Sequence, residues 1–160
     1  MDAWLWSRVL HVLGVVIWIG GVAFVTLVLL PAARSLPDAA NRHRLFELAE
    51  GRFAWWARGA TLVTGLSGFY MLYLSDGWSR FSQPGQWWLH AMVTVWVIFT
   101  LMLFVLEPLV LHRVFRDVAQ RDPAGTMRRI QRMHVFLLAI SLITVAGAVA
   151  GSHGGDLFAW

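Results

Sequence analysis

The chain has no cysteine and no lysine. Without cysteine it can form neither a disulfide nor a thiolate metal site, it has no cysteine nucleophile, and the redox state of its compartment leaves no mark on it. Any redox chemistry has to come from a bound cofactor. Without lysine, the positive charge is all arginine: 13 basic residues against 9 acids, a net charge of +4. Charge of either sign is scarce, at 14% of residues, where an ordinary soluble domain holds about 25%. Hydrophobic residues make up 58% of the 160 positions, and the mean hydropathy is +0.62. That composition excludes an ordinary soluble enzyme domain and describes a small integral membrane protein. The basic balance does not point to nucleic acid, because the arginines gather between apolar runs, where membrane topology accounts for them.

Four apolar runs are each long enough for a hydrocarbon core, which takes about 20 residues of helix. They predict helices over about 4–30, 52–74, 86–112 and 129–150. A signal peptide is the alternative for the first, but the run exceeds a typical h-region and no small-x-small site follows it. Between the first two runs, residues 37–50 read as an interfacial connector, with Asp38 or Asn41 capping a short amphipathic helix through Leu45, Phe46 and Leu48. Gly59, Gly65 and Gly68 are expected close-approach positions, and Gly147 and Gly151 form a small-residue contact motif. Ser75 to Gly85 is rich in turn formers, and Asp122-Pro123 is the turn signal of a second basic connector. The expected architecture is a single-domain, all-α, up-and-down four-helix bundle. Arg34, Arg42, Arg44, Arg52 and Arg58 lie on one connector side with Arg113, Arg116, Arg121, Arg128, Arg129 and Arg132, against Arg8 and Arg80 opposite. The positive-inside rule then places both termini outside a bacterial-type cytoplasmic membrane.

Ionisable groups inside such runs are costly and therefore informative. His11 and His90 lie at depths that differ by only about 5 Å, on the first and third helices, which share a diagonal of the bundle. Facing each other there, they suit the two axial positions of a haem b. Gly14, Gly21 and the glycines of the second helix would make room for the macrocycle. Arg8 and Arg80 are the cations for its propionates, and Trp18, on the His11 face, packs on the cofactor or fills the core. The bland reading is that both histidines merely bond backbone. His112 and His134 form a weaker metal candidate pair at the opposite ends, where headgroup contact also explains them. His43 is expected in a loop, and His153 in the Gly-rich tail as a substitute axial ligand. Glu107, just before Pro108, is expected to pair with Arg58; the functional version makes Glu107 a proton carrier or part of a quinone pocket. Trp4, Trp6, Trp55, Trp56, Trp78, Trp87, Trp88 and Trp160 are expected at membrane interfaces, with Trp18 and Trp96 at mid-depth.

Two segments carry a resemblance. Leu10-His11-Val12-Leu13-Gly14 followed by Trp18-Ile19-Gly20-Gly21 is similar to the first helix of the copper-resistance-D-like membrane proteins and of the related HemJ-type protoporphyrinogen oxidases. Trp87-Trp88-Leu89-His90 resembles the Trp-Leu-His that begins a later helix in the HemJ type, and Thr64-Gly65 a Thr-Gly in the copper-resistance-D type. The resemblance covers most of the chain in layout and implies haem b on His11 and His90. It departs at Met92, where the HemJ type carries a required lysine. Protoporphyrinogen oxidase activity is therefore not expected. Methionine is a soft donor, so copper held by His11, His90 and Met92 is the alternative cofactor.

The expectation is a haem b membrane protein that passes electrons between a quinol or other reductant and an acceptor, as a carrier or as a membrane oxidoreductase. The alternatives are a copper-handling membrane protein and an accessory subunit packed in a homo-oligomer or a larger respiratory complex.

Overall fold

A computed structural model of the chain describes residues 2–111 and 122–155. Among these residues there are helices and tight turns and no strand. Helix α1 (Asp2–Phe24) passes through a π-helical turn, Val25–Leu29, into the short α2 (Leu30–Ser35). Helix α3 (Ala39–Leu74) follows, then two 3₁₀ turns, Gly77–Ser82 and Pro84–Gln86. Helix α4 (Trp87–Leu101) continues as a π-helical segment, Met102–Leu111, and α5 (Pro123–Ser152) completes the fold. Three helical stretches, Asp2–Ser35, Pro84–Pro108 and Gly125–Ser152, are long and apolar enough to cross a membrane. Helix α3 is as long, but Arg58 and its many Gly, Thr and Ser residues dilute its apolar character.

Several boundaries differ from the sequence expectation. The connector at 37–50 is not a separate interfacial helix, because α3 begins at Ala39 and runs on without a break. Asp38 stands in the cap position as expected, and Gly51, where a break was most natural, has open space beside it and no positive φ, so the helix passes through. His43 accordingly lies in a helix rather than a loop. Helix α5 starts earlier than expected, at Pro123. The Asp122 carboxylate accepts from the Gly125 N–H at 2.8 Å, and Pro123 at the first position gives up no needed donor, so the turn signal is a helix start.

Contacts set the directions of the helices. Along α1, His11, Gly14 and Gly21 meet Gly68, Thr64 and Phe53 of α3 in turn, so the two run antiparallel. Along α3, Gly65 meets Trp96 and Arg58 meets Leu103 and Glu107, so α4 reverses again. Gly147 and Gly151 of α5 receive the rings of Trp87 and Trp88. Trp88 is buried and Trp87 half-buried, and both rings plug glycine notches between helices. Helices α1 and α4 run in the same direction across the bundle from each other and meet edge-to-face at Trp18 and Phe99, 4.9 Å between ring centroids.

The burial pattern departs from that of a water-soluble bundle in its apolar outer faces and its buried small hydroxyl residues. Thr61 and Ser141 are 0% and 1% exposed, while Leu66 and Phe136 are 71% and 62% exposed. Small hydroxyl residues let helices approach closely, and several bond the preceding turn, as Ser141 does on Leu137 O (2.7 Å) and Thr144 on Ile140 O (2.8 Å). Large apolar side chains on the outer faces need an apolar solvent. This is the surface of a protein that sits in lipid.

Candidate functional site

One large cavity, of about 650 Å³, opens where α1 begins and α3 turns into α4, the upper end of the bundle. That volume lies within the range of about 300–1,000 Å³ usual for ligand and cofactor sites. The walls are mostly apolar and aromatic, with Trp18, Phe69, Phe81 and Trp96 prominent. The polar groups are few: His11, Arg8, Arg80 and small hydroxyls. No acid is among the described lining residues.

His11 is held by α3. Its Nδ1 donates to the Thr64 carbonyl at 2.8 Å, with the Ser67 hydroxyl 3.4 Å away. Gly68 leaves room for the ring edge, since a Cβ there would lie 3.1 Å from His11 Cε1. A proton on Nδ1 leaves Nε2 as the lone-pair nitrogen, and a carbonyl fixing the far nitrogen is the usual support of a metal-binding imidazole. Arg8 is exposed, with its guanidinium 5.4 Å from the Trp4 ring. Arg80, in the first 3₁₀ turn, lies 5.3 Å from the Trp88 ring and donates to Gln86 Oε1 at 3.0 Å. Two cations with no acid among the described lining residues favour a ligand that carries carboxylates or phosphates. Trp18 and Trp88, both lining residues, hold buried indole N–H groups with no acceptor among the described residues.

His90 does not face His11. It is exposed, edge-to-face against Phe81 at 5.2 Å between ring centroids, and outside the cavity wall. The depth argument said nothing of rotation about α4. Trp88, Leu89, Val95 and Phe99 are buried, whereas His90, Thr94, Val97 and Leu101 form the exposed stripe. Gly14 and Gly21 also make no room for a ligand, because Thr64 fills the first notch and Phe53 the second. Trp18 does line the cavity, as does Met92. His153 is exposed at the end of α5, its Nδ1 donating to Val149 O at 2.8 Å, and is not in the wall. His112 lies outside the described residues.

The lower end holds the other polar set. The Arg58–Glu107 ion pair expected from the sequence forms at 3.1 Å. Arg58 Nε also donates to the Leu103 carbonyl at 3.1 Å. In a π-helical segment a carbonyl is served by the N–H five residues on, which for Leu103 is residue 108, a proline with none to give. Arg58 therefore neutralises Glu107 and fills the vacancy that Pro108 leaves. Glu50, Glu107 and His134 line a crevice of only about 50 Å³ there, enough for a few waters. His134 Nδ1 donates to Ile130 O at 2.9 Å within its own helix. Among the described residues no three His, Asp or Glu side chains gather as a metal site.

Met71, Phe69, Phe81 and the Thr64 carbonyl escaped the sequence reading. A backbone acceptor leaves no trace in composition, and the side that Met71 faces depends on the phase of its helix. Comparison of the chain with family models, with curated proteins and with solved structures returns no match.

Proposed function

We propose that this is a haem b-binding membrane protein that relays single electrons between a quinol or similar reductant and an acceptor, with His11 as an axial ligand. One observation carries the reading: an imidazole locked through Nδ1 to a backbone carbonyl, in a large aromatic cavity flanked by two arginines. A haem would supply a reversible Fe(III)/Fe(II) couple. The chain would supply His11 to hold it, Arg8 and Arg80 to neutralise its propionates, and Trp18 and Trp96 to pack its faces. In this reading α3 is a fourth crossing, both termini lie outside the cytoplasmic membrane, and the resemblance to the copper-resistance-D and HemJ types reflects a shared haem site. Copper is the second reading, favoured by His11, Met71 and Met92 lining one cavity. The cavity's size and its two arginines, with no acid among the described lining residues, weigh against a lone Cu⁺ and for a larger anionic ligand.

The absorption spectrum of the purified full-length protein tests this. A Soret band that His11→Ala abolishes and His112→Ala retains is the expected result. A colourless preparation that binds Cu(I) would overturn it in favour of copper, and one that binds neither and copurifies with a membrane complex would leave the accessory-subunit reading.

A further inference from the structure

We infer that the second axial donor opposite His11 is the thioether of Met92, and not His90. The inference rests on the haem reading of the cavity and adds to it the identity of the other ligand.

The argument is one of helix register. Helices α1 and α4 run in the same direction, and their mutual depth is set where Trp18 meets Phe99. His11 precedes Trp18 by seven residues, and Met92 precedes Phe99 by seven. Both intervals lie in regular α-helix. Seven residues rise about 10 Å and rotate to within about 20° of two full turns. Stepping upward from the Trp18–Phe99 contact along each helix therefore arrives at about one depth at Met92, on the Phe99 side of α4, and at His11, on the Trp18 side of α1 with its Nδ1 held by α3. Both side chains line the cavity. His90 precedes Phe99 by nine residues, which rotates it about 180° away, and it is exposed.

The remaining sulfur, Met71, sits on α3 one turn beyond Gly68, the residue against the His11 ring edge. It belongs to the wall that supports His11 rather than to the wall opposite. A planar macrocycle needs donors on opposite faces, and of the described lining residues on α4 and α5 only Met92 carries a histidine nitrogen or methionine sulfur. Methionine opposite histidine raises the potential of a haem relative to two histidines, so the pair suits an acceptor of electrons from a moderate reductant.

The test uses the full-length protein in detergent with haem supplied, followed by ferric and ferrous spectra and a redox titration. Wild type is expected to be low-spin, with a long-wavelength sulfur-to-iron charge-transfer band in the ferric state. Met92→Leu should keep the haem, lose that band, become high-spin and titrate at a lower potential. Met92→His should restore the low-spin state without the band. His90→Ala should leave every reading unchanged, and Met71→Leu, a change in the cavity wall, should keep the low-spin state and the band. A low-spin spectrum with the band retained in Met92→Leu, or lost instead in His90→Ala or Met71→Leu, overturns the assignment while the haem reading stands. A wild-type protein that takes up no haem overturns both.

Discussion

At the upper end of the bundle the helices stand around a cavity of about 650 Å³, and at the lower end around a crevice of about 50 Å³. Both ends carry ionisable side chains at depth. At the lower end the charges answer each other: Arg58 meets Glu107, and its second donor meets the carbonyl that Pro108 leaves open. At the upper end Arg8 and Arg80 have aromatic rings and an amide for company but no acid among the described lining residues, and His11 has one nitrogen tied and one available. An apolar chain tolerates polar groups where they are mutually satisfied. Cations and an imidazole nitrogen that line an open volume with no acid among the described lining residues are the ones prepared for something else.

The largest expected effect lies at the lower end. Glu107→Ala strands the Arg58 charge and should cost about 3 kcal/mol, the low end for a broken buried pair, since its side chains are 21% and 17% exposed. Leucine at both positions should recover most of that, short by about 1 kcal/mol for the lost bond to Leu103. Arg8→Ala at the upper end should change stability by less than about 0.5 kcal/mol. Thermal melting in a fixed detergent measures all three, and equal losses for Glu107→Ala and Arg8→Ala would erase the distinction between the ends.

A middling effect is expected from the notches that hold the helices together. A methyl on Gly65 would overlap the Trp96 ring, whose Nε1 donates to Thr61 O at 2.9 Å. Gly65→Ala should therefore cost about 1–3 kcal/mol. Gly20 has open space around it, so Gly20→Ala should be neutral or stabilising by up to about 1 kcal/mol. The same sign of change in both variants would contradict the packing described for α3 and α4.

The smallest effect sharpens the account of His11. Its partner is the Thr64 carbonyl, while the Thr64 hydroxyl is buried with no partner among the described residues. Thr64→Val should shift stability by less than about 0.5 kcal/mol and leave haem uptake intact. Loss of haem in that variant would show that the hydroxyl, not the carbonyl, orients the imidazole.

Much was legible from residue order. Hydropathy marked four membrane-length helices, of which Asp2–Ser35, Pro84–Pro108 and Gly125–Ser152 are long and apolar enough to cross a membrane, because twenty consecutive apolar side chains leave few alternatives to a helix in lipid. The Arg58–Glu107 pair followed from depth alone, since two lone charges at one level have every reason to meet. The position of His11 near the upper end, and the diagonal relation of its helix to α4, were also readable. The unbroken course of α3 through Gly51 was not, because glycine permits a break without requiring one.

What only the tertiary structure decided was rotation. Depth along a helix is counted in residues, but the face a residue presents depends on which neighbours its helix packs against, and hydropathy that is high all round a helix carries no phase. Hence His90 and Met92, two positions apart in the sequence, exchange roles: one turns outward onto Phe81 and the other into the cavity. Rotation likewise decided that Gly14 and Gly21 are filled by Thr64 and Phe53 rather than by a ligand. The sequence by itself determined which residues lie at each depth of this protein, and the packing of aromatic rings into glycine notches determined which of them meet.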